Sequence, residues 1–174
     1  VRCAEITAAS LGYESEEVLT FSTGVIGEPL PVRLIESSFD QLVTQLKEDS
    51  WNKAAEAIMT TDTCAKGFSK EIVFGDHRSV ITGIAKGSGM IFPNMATTHG
   101  YIFTDADLSN EILKKLLKNN IQNTFNAISC DGDTSTNDMV SIFSTGKAKN
   151  TLIKTINDKK IKSFDESLNS LLLN

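Results

Sequence analysis

Residues 70–87 read KEIVFGDHRSVITGIAKG, and the reading of this stretch decides the fold. Two runs of β-branched, aromatic and apolar residues flank the polar turn GDHR. Such runs suit a pleated, half-buried surface, and the glycine and aspartate between them supply turn chemistry. They predict two neighbouring strands, KEIVFG and RSVITGIAKG. HGYIFTDA, residues 99–106, reads as a third, and three consecutive strands predict an antiparallel sheet. MVSIFSTG, residues 139–146, adds another strand. EVLTFSTG, residues 17–24, reads as one too, being short, rich in β-formers and closed by glycine.

Helical patterns lie on either side. Residues 1–11 look like the later part of a helix that Gly12 stops. Phe39, Leu42, Val43 and Leu46 recur at helical spacing, with Ser38-x-x-Gln41 matching a capping box. SWNKAAEAIM predicts a second short helix, ending at the turn TTDT, residues 60–63. From Ser109, Ile112, Leu113, Leu116 and Leu117 form one face, and Ile121, Phe125 and Ile128 continue it. Ser163-x-x-Glu166 reads as the cap of a last helix with Phe164, Leu168, Leu171 and Leu172 on its apolar side. The whole predicts an α+β domain over residues 1–174, with helices packed on a largely antiparallel sheet.

Bulk properties narrow the function. A net charge of -5 creates no field that would gather nucleic acid phosphates. No apolar run approaches the roughly 20 residues a membrane span needs, and no basic-then-apolar leader opens the chain, so a cytoplasmic protein is expected. Cys3, Cys64 and Cys130 are odd in number and widely spaced, which predicts buried free thiols, not a disulfide framework or zinc site. His77 and His99 are the only histidines, so histidine chemistry would rest on one of them. Neither a metal nor a cofactor is expected.

Three loops could carry chemistry. In DGDTSTND, residues 131–138, Asp131, Asp133 and Ser135 hold the first, third and fifth places of a calcium loop, but Thr136 replaces the glycine and Ile142 the closing glutamate. A polar loop is the better reading. GIAKGSG, residues 83–89, sets Lys86 before Gly87 and Gly89, the reverse of a Walker loop. Its glycines permit a tight path beside a lysine, which is a surface residue unless the loop folds over a pocket holding an anion. In PNMATTHG, residues 93–100, Thr97 and Thr98 either start a strand or include a nucleophile. A threonine hydroxyl needs a base, and one recurrent base is the threonine's own α-amine, freed by cutting the bond before it. The small Ala96 would let the Thr97 hydroxyl reach its carbonyl, and STGVIG, residues 22–27, with Thr23 and Gly24, offers oxyanion donors.

Taken together, STGVIGEPLP (22–31), TTDT (60–63), GIAKGSGMIFPNMAT (83–97), FTDA (103–106) and NTFNAISCDGDTSTND (123–138) resemble the ornithine acetyltransferases, the glutamate N-acetyltransferases of arginine biosynthesis. The likeness runs in order from about Val18 to Gly146. It implies a layered α/β sandwich and autoproteolysis between Ala96 and Thr97. Residues 1–96 would then end an α chain and residues 97–174 begin a β chain of an α/β hetero-oligomer. It further implies a ping-pong cycle in which Thr97 takes acetyl from N-acetylornithine and passes it to glutamate. By the same likeness Thr23 and Gly24 form the oxyanion hole, and Thr63 and Lys86 contact substrate. Acetyl-CoA is left open as a further acetyl donor. The chain departs from the family in having Thr98 and His99 where methionine usually follows the nucleophile, and it lacks the family's upstream Asn-Ala-Gly and downstream acidic segments, which predicts part of a longer enzyme. An N-terminal-threonine amidase or aminopeptidase, with water as acceptor, and a non-catalytic small-molecule binding domain are the alternatives.

Overall fold

Alternation along the strands dictates how the sheet is covered. On the strand His77–Lys86, Ser79 and Ile81 are buried on one face while Arg78 and Val80 on the other are exposed. The computed structural model describes residues 1–74, 77–90, 98–133 and 135–174, so Gly75 and Asp76 of the expected turn lie outside the described residues. The chain forms two compact units, Val1–Ser50 and Trp51–Asn174.

In the first unit, helix α1 spans Arg2–Leu11 and ends at Gly12, whose φ of 76° is the left-handed conformation glycine adopts without strain. A 3-10 turn, Ser15–Glu17, follows, and helix α2 spans Val32–Thr44. Arg2 on α1 pairs with Glu36 on α2. Two expectations are corrected here. Residues 17–24 form no strand: outside the turn they are irregular, and β-propensity without a partner strand does not make a strand. Helix α2 starts after Pro31, so Ser38 lies within it and donates to the Leu34 carbonyl at 2.8 Å instead of capping.

The second unit runs α3 (Trp51–Ala57), β1 (Lys66–Phe74), β2 (His77–Lys86), β3 (His99–Thr104), α4 (Asn110–Ile121), a 3-10 turn (Phe125–Ala127), β4 (Met139–Ser144) and α5 (Lys159–Leu173). The sheet order is β1-β2-β3-β4. β1, β2 and β3 pair antiparallel, as the sequence predicts, whereas β4 joins β3 in parallel after a crossover through α4. The fold is α+β with a mixed sheet.

Helices α4 and α5 close the face bearing Ile72, Ile81 and Ile102 with Ile112, Leu116, Phe164 and Leu168. Each such side chain contributes on the order of 1.5–3 kcal/mol by leaving water. Between the helices, buried Asn120 donates to Asp165 (2.6 Å) and accepts from Asn169 (2.9 Å), satisfying its amide. α5 begins at Lys159 with Asp158 accepting from Lys160 N–H, so Ser163 does not cap it. α4 stops at Ile121, and the apolar stripe does not continue as helix. Phe125 instead lies over Gly100, where a Cβ would come within 3.0 Å of its ring. Asp105, in the block FTDA, braces β2 by accepting from Val80 N–H (2.7 Å) and the Ser79 hydroxyl (2.6 Å). The three cysteines are unpaired with one another, and Cys64 and Cys130 are exposed, contrary to the expected burial.

Candidate active site

One end of the sheet gathers the polar groups. There β2 delivers Lys86, β3 begins at His99, and β4 begins at Met139; Lys86 is opposite His99, and His99 opposite Met139. Lys86 is 2% exposed. Burial pushes its ammonium below the usual lysine range, against the opposing pull of Asp62 and Asp138. A lysine in that condition is a compact cationic donor in a dry setting, not a solvated surface charge.

The turn TTDT is built around its aspartate. The Asp62 side chain is fully shielded from solvent and accepts from Gly87 N–H (2.8 Å) and Thr60 N–H (3.2 Å), while Lys66 at the start of β1 pairs with it. Burial pushes the Asp62 carboxyl up, but the Lys66, Gly87 and Thr60 hydrogen bonds outweigh that and hold it at about 2. Lys66 also donates to the Gly87 carbonyl at 3.1 Å, and the Ser88 hydroxyl donates to the Thr61 carbonyl at 2.9 Å. The turn and the glycine-rich loop after Lys86 are therefore one stitched unit. Further along that loop Met90 has a φ of 56°, a left-handed conformation that strains a residue with a Cβ, and its N–H donates to Asp131 at 2.5 Å.

On the far side of the loop Thr98 is bonded twice to the start of β4. Its N–H donates to Asp138 Oδ1 at 2.8 Å and its carbonyl accepts from Met139 N–H at 2.9 Å. Burial raises the Asp138 carboxyl, opposed by the Thr98 N–H, the Ser135 hydroxyl and the charge of Lys86. His99, 5% exposed, faces the Asn137 carbonyl with Nε2 at 3.2 Å and the Tyr101 hydroxyl with Nδ1 at 3.1 Å. A carbonyl only accepts, so Nε2 carries the proton and Nδ1 receives the Tyr101 hydroxyl. Burial and the neighbouring Lys86 lower the imidazole's proton affinity, which keeps it neutral. Beside this end of the sheet is a cavity of about 290 Å³, lined mainly by apolar side chains such as Phe68, Ile102, Phe125 and Leu171, with Lys66 and Thr98.

The residues expected from sequence fall as follows. Lys86 is buried at the end of β2. Thr63 is exposed on the turn whose Asp62 and Thr61 bind the loop after Lys86. Thr23, half-buried, and Gly24, exposed, belong to the first unit, in the segment before α2. Ala96 and Thr97 lie outside the described residues. Sequence reasoning missed Asp62, Asp138 and Asp131 as loop anchors, although all three stand in motifs it singled out. It also left His99 unassigned. Among the described residues no group of three or more His, Cys, Asp or Glu is placed to hold a metal, and no helix is long and apolar enough to cross a membrane.

Comparison with known proteins shows the family of the chain. The chain is 48% identical over 149 residues to the arginine biosynthesis bifunctional protein ArgJ of Pseudomonas fluorescens (strain Pf0-1), covering 83% of this chain and 37% of that protein. It is 49% identical over 164 residues to the protein of the same name from Thermotoga neapolitana, covering 94% and 41%. With that from Gluconobacter oxydans the figures are 43% over 171 residues, 98% and 40%. The chain thus spans about two-fifths of the length of these curated relatives. The sequence profile of the ArgJ family matches residues 1–174, and the chain belongs to that family.

Proposed function

We propose that the intact protein containing this chain transfers acetyl from N-acetylornithine to glutamate in arginine biosynthesis, through an acetyl ester on Thr97. The supporting observation is the sheet end at which buried Lys86 meets the strand that begins at His99, two residues after Thr97 in the chain. In the first stage the Thr97 hydroxyl attacks the Ala96 carbonyl. The C–N bond breaks as the amide gives way to an ester, which frees the Thr97 α-amine, and water then hydrolyses the ester to release the Ala96 carboxylate and the Thr97 hydroxyl. That amine then takes the hydroxyl proton as the oxygen attacks the acetyl carbon of N-acetylornithine. The tetrahedral oxyanion is held by donors at Thr23 and Gly24, the C–N bond breaks, and ornithine leaves with the proton. Glutamate's amine attacks the ester in turn and restores the threonine.

Lys86 suits the carboxylate of an α-amino acid substrate, because its charge acts in a site shielded from water. Thr63 is proposed as a second substrate contact, and acetyl-CoA as an alternative donor. Cutting would leave an α and a β chain in a hetero-oligomer, working in the cytoplasm without cofactor. Intact mass under denaturing conditions tests the reading. Two species dividing between Ala96 and Thr97, with acetyl gained by the second after N-acetylornithine is added, are expected; one uncut mass, or hydrolysis of acetylornithine without transfer, would refute it. Lys86→Met should raise KM for the amino-acid substrates more than it slows cutting.

A further inference from the structure

Three aspartates accept backbone N–H groups on the two sides of the junction. Asp62 holds Gly87 and Asp131 holds Met90 on the incoming side; Asp138 holds Thr98 on the outgoing side. The outgoing anchor is the nearest to the junction in the chain. Thr98 has its N–H fixed by Asp138 and its carbonyl by Met139, and the neighbouring Asn137 carbonyl is held by His99. The N–H of Thr98 shares a rigid peptide plane with the carbonyl of residue 97, so fixing that N–H orients the backbone from which residue 97 extends.

We infer that Asp138 is a positioning residue for the Thr97 nucleophile, acting through its hydrogen bond to the Thr98 amide. The inference rests on the proposed role of Thr97. Its physical content is that placement of one acceptor oxygen matters. Asp138 Oδ2 is buried with no hydrogen-bond partner among the described residues, so Oδ1 carries the contact to the loop. Misplacement of a reacting group by about 1 Å costs up to roughly 100-fold in rate.

Two variants separate position from charge. Asp138→Asn keeps an acceptor oxygen in place and removes the charge, whereas Asp138→Glu keeps the charge and displaces the oxygen by one methylene. The rate at which uncut intact protein divides at Ala96–Thr97 is followed by denaturing mass spectrometry, and kcat and KM for N-acetylornithine are measured on the cut form. Asp138→Asn is expected within about threefold of the parent, and Asp138→Glu roughly 10- to 100-fold slower in cutting and in kcat with little change in KM. Normal cutting by Asp138→Glu, or a loss in Asp138→Asn as large as in Asp138→Glu, overturns the inference. Thr97→Ala runs in parallel. If it stays uncut while Asp138→Glu is processed normally, only the positioning role falls; if Thr97→Ala is itself cut, the proposed nucleophile falls and the positioning role with it.

Discussion

Replacing Asp62 with asparagine should destabilise the second unit in a manner that depends on pH. The carboxylate is shielded from solvent, accepts from two backbone N–H groups and pairs with Lys66. Its depression from 3.8 to about 2 corresponds to roughly 2 kcal/mol of folding stability. Because the folded value lies below the unfolded one, that stability is fully present above about pH 4 and is lost as pH falls through about 2. Asparagine also turns an NH2 toward one of the backbone donors, leaving it unpaired at a further cost of about 1–3 kcal/mol. Near pH 7 the variant should therefore lose about 3–5 kcal/mol, and near pH 2 the gap should narrow by roughly 2 kcal/mol. Urea unfolding followed by the fluorescence of Trp51, the only tryptophan and part of the same unit, measures both. Stability differences that stay constant between pH 6 and pH 2 would refute the reasoning, since the charge would then contribute nothing.

Other perturbations probe separate features. His99 is held neutral, its folded value below the ordinary 6.5, so the parent should lose stability as pH falls below about 6.5 until the folded value is passed; His99→Gln should flatten the unfolding midpoint between pH 7 and pH 5. Phe164→Ala, at a fully buried core position, should cost about 3–5 kcal/mol in urea or thermal unfolding. Gly100→Ala should cost about 1–3 kcal/mol, because the new methyl would meet the Phe125 ring at 3.0 Å and Val140 at 3.2 Å; an unchanged midpoint would show that Phe125 moves aside freely.

The strands were legible because β1, β2 and β3 follow one another and carry their own propensity. The parallel placement of β4 was not, since nothing local distinguishes MVSIFS as a neighbour of β3 on its far side. Ser38 and Ser163 matched capping boxes but sit inside helices that start earlier, at Val32 and Lys159, where Pro31 and Asp158 stand at the N-cap. Phe125 kept the helical spacing of α4 while answering to a tertiary demand, the space above Gly100. At the site, the glycine-rich loop showed an unusual backbone but not that Lys86 is buried, which depends on how β3 and the Asp62 turn pack around it. Asp138 was visible only as one acid in a polar loop, because accepting from the Thr98 amide, 40 residues away in the chain, leaves no trace in spacing.

The passage from β2 to β3 has a consequence for assembly. These strands pair over six residues, from Ile81 opposite Thr104 to Lys86 opposite His99, and the chain between them contains the Ala96–Thr97 bond. If that bond is cut as proposed, the pairing becomes a seam between two polypeptides: β1 and β2 fall to one, β3, β4, α4 and α5 to the other. The apolar interior is divided as well, with Ile72 and Ile81 on one side and Ile102, Phe164 and Leu168 on the other. Neither piece retains a complete interior. The proposed cut would thus turn a unimolecular fold into a two-chain product whose renaturation is second order, so recovery after denaturation should fall on dilution only for a cut form.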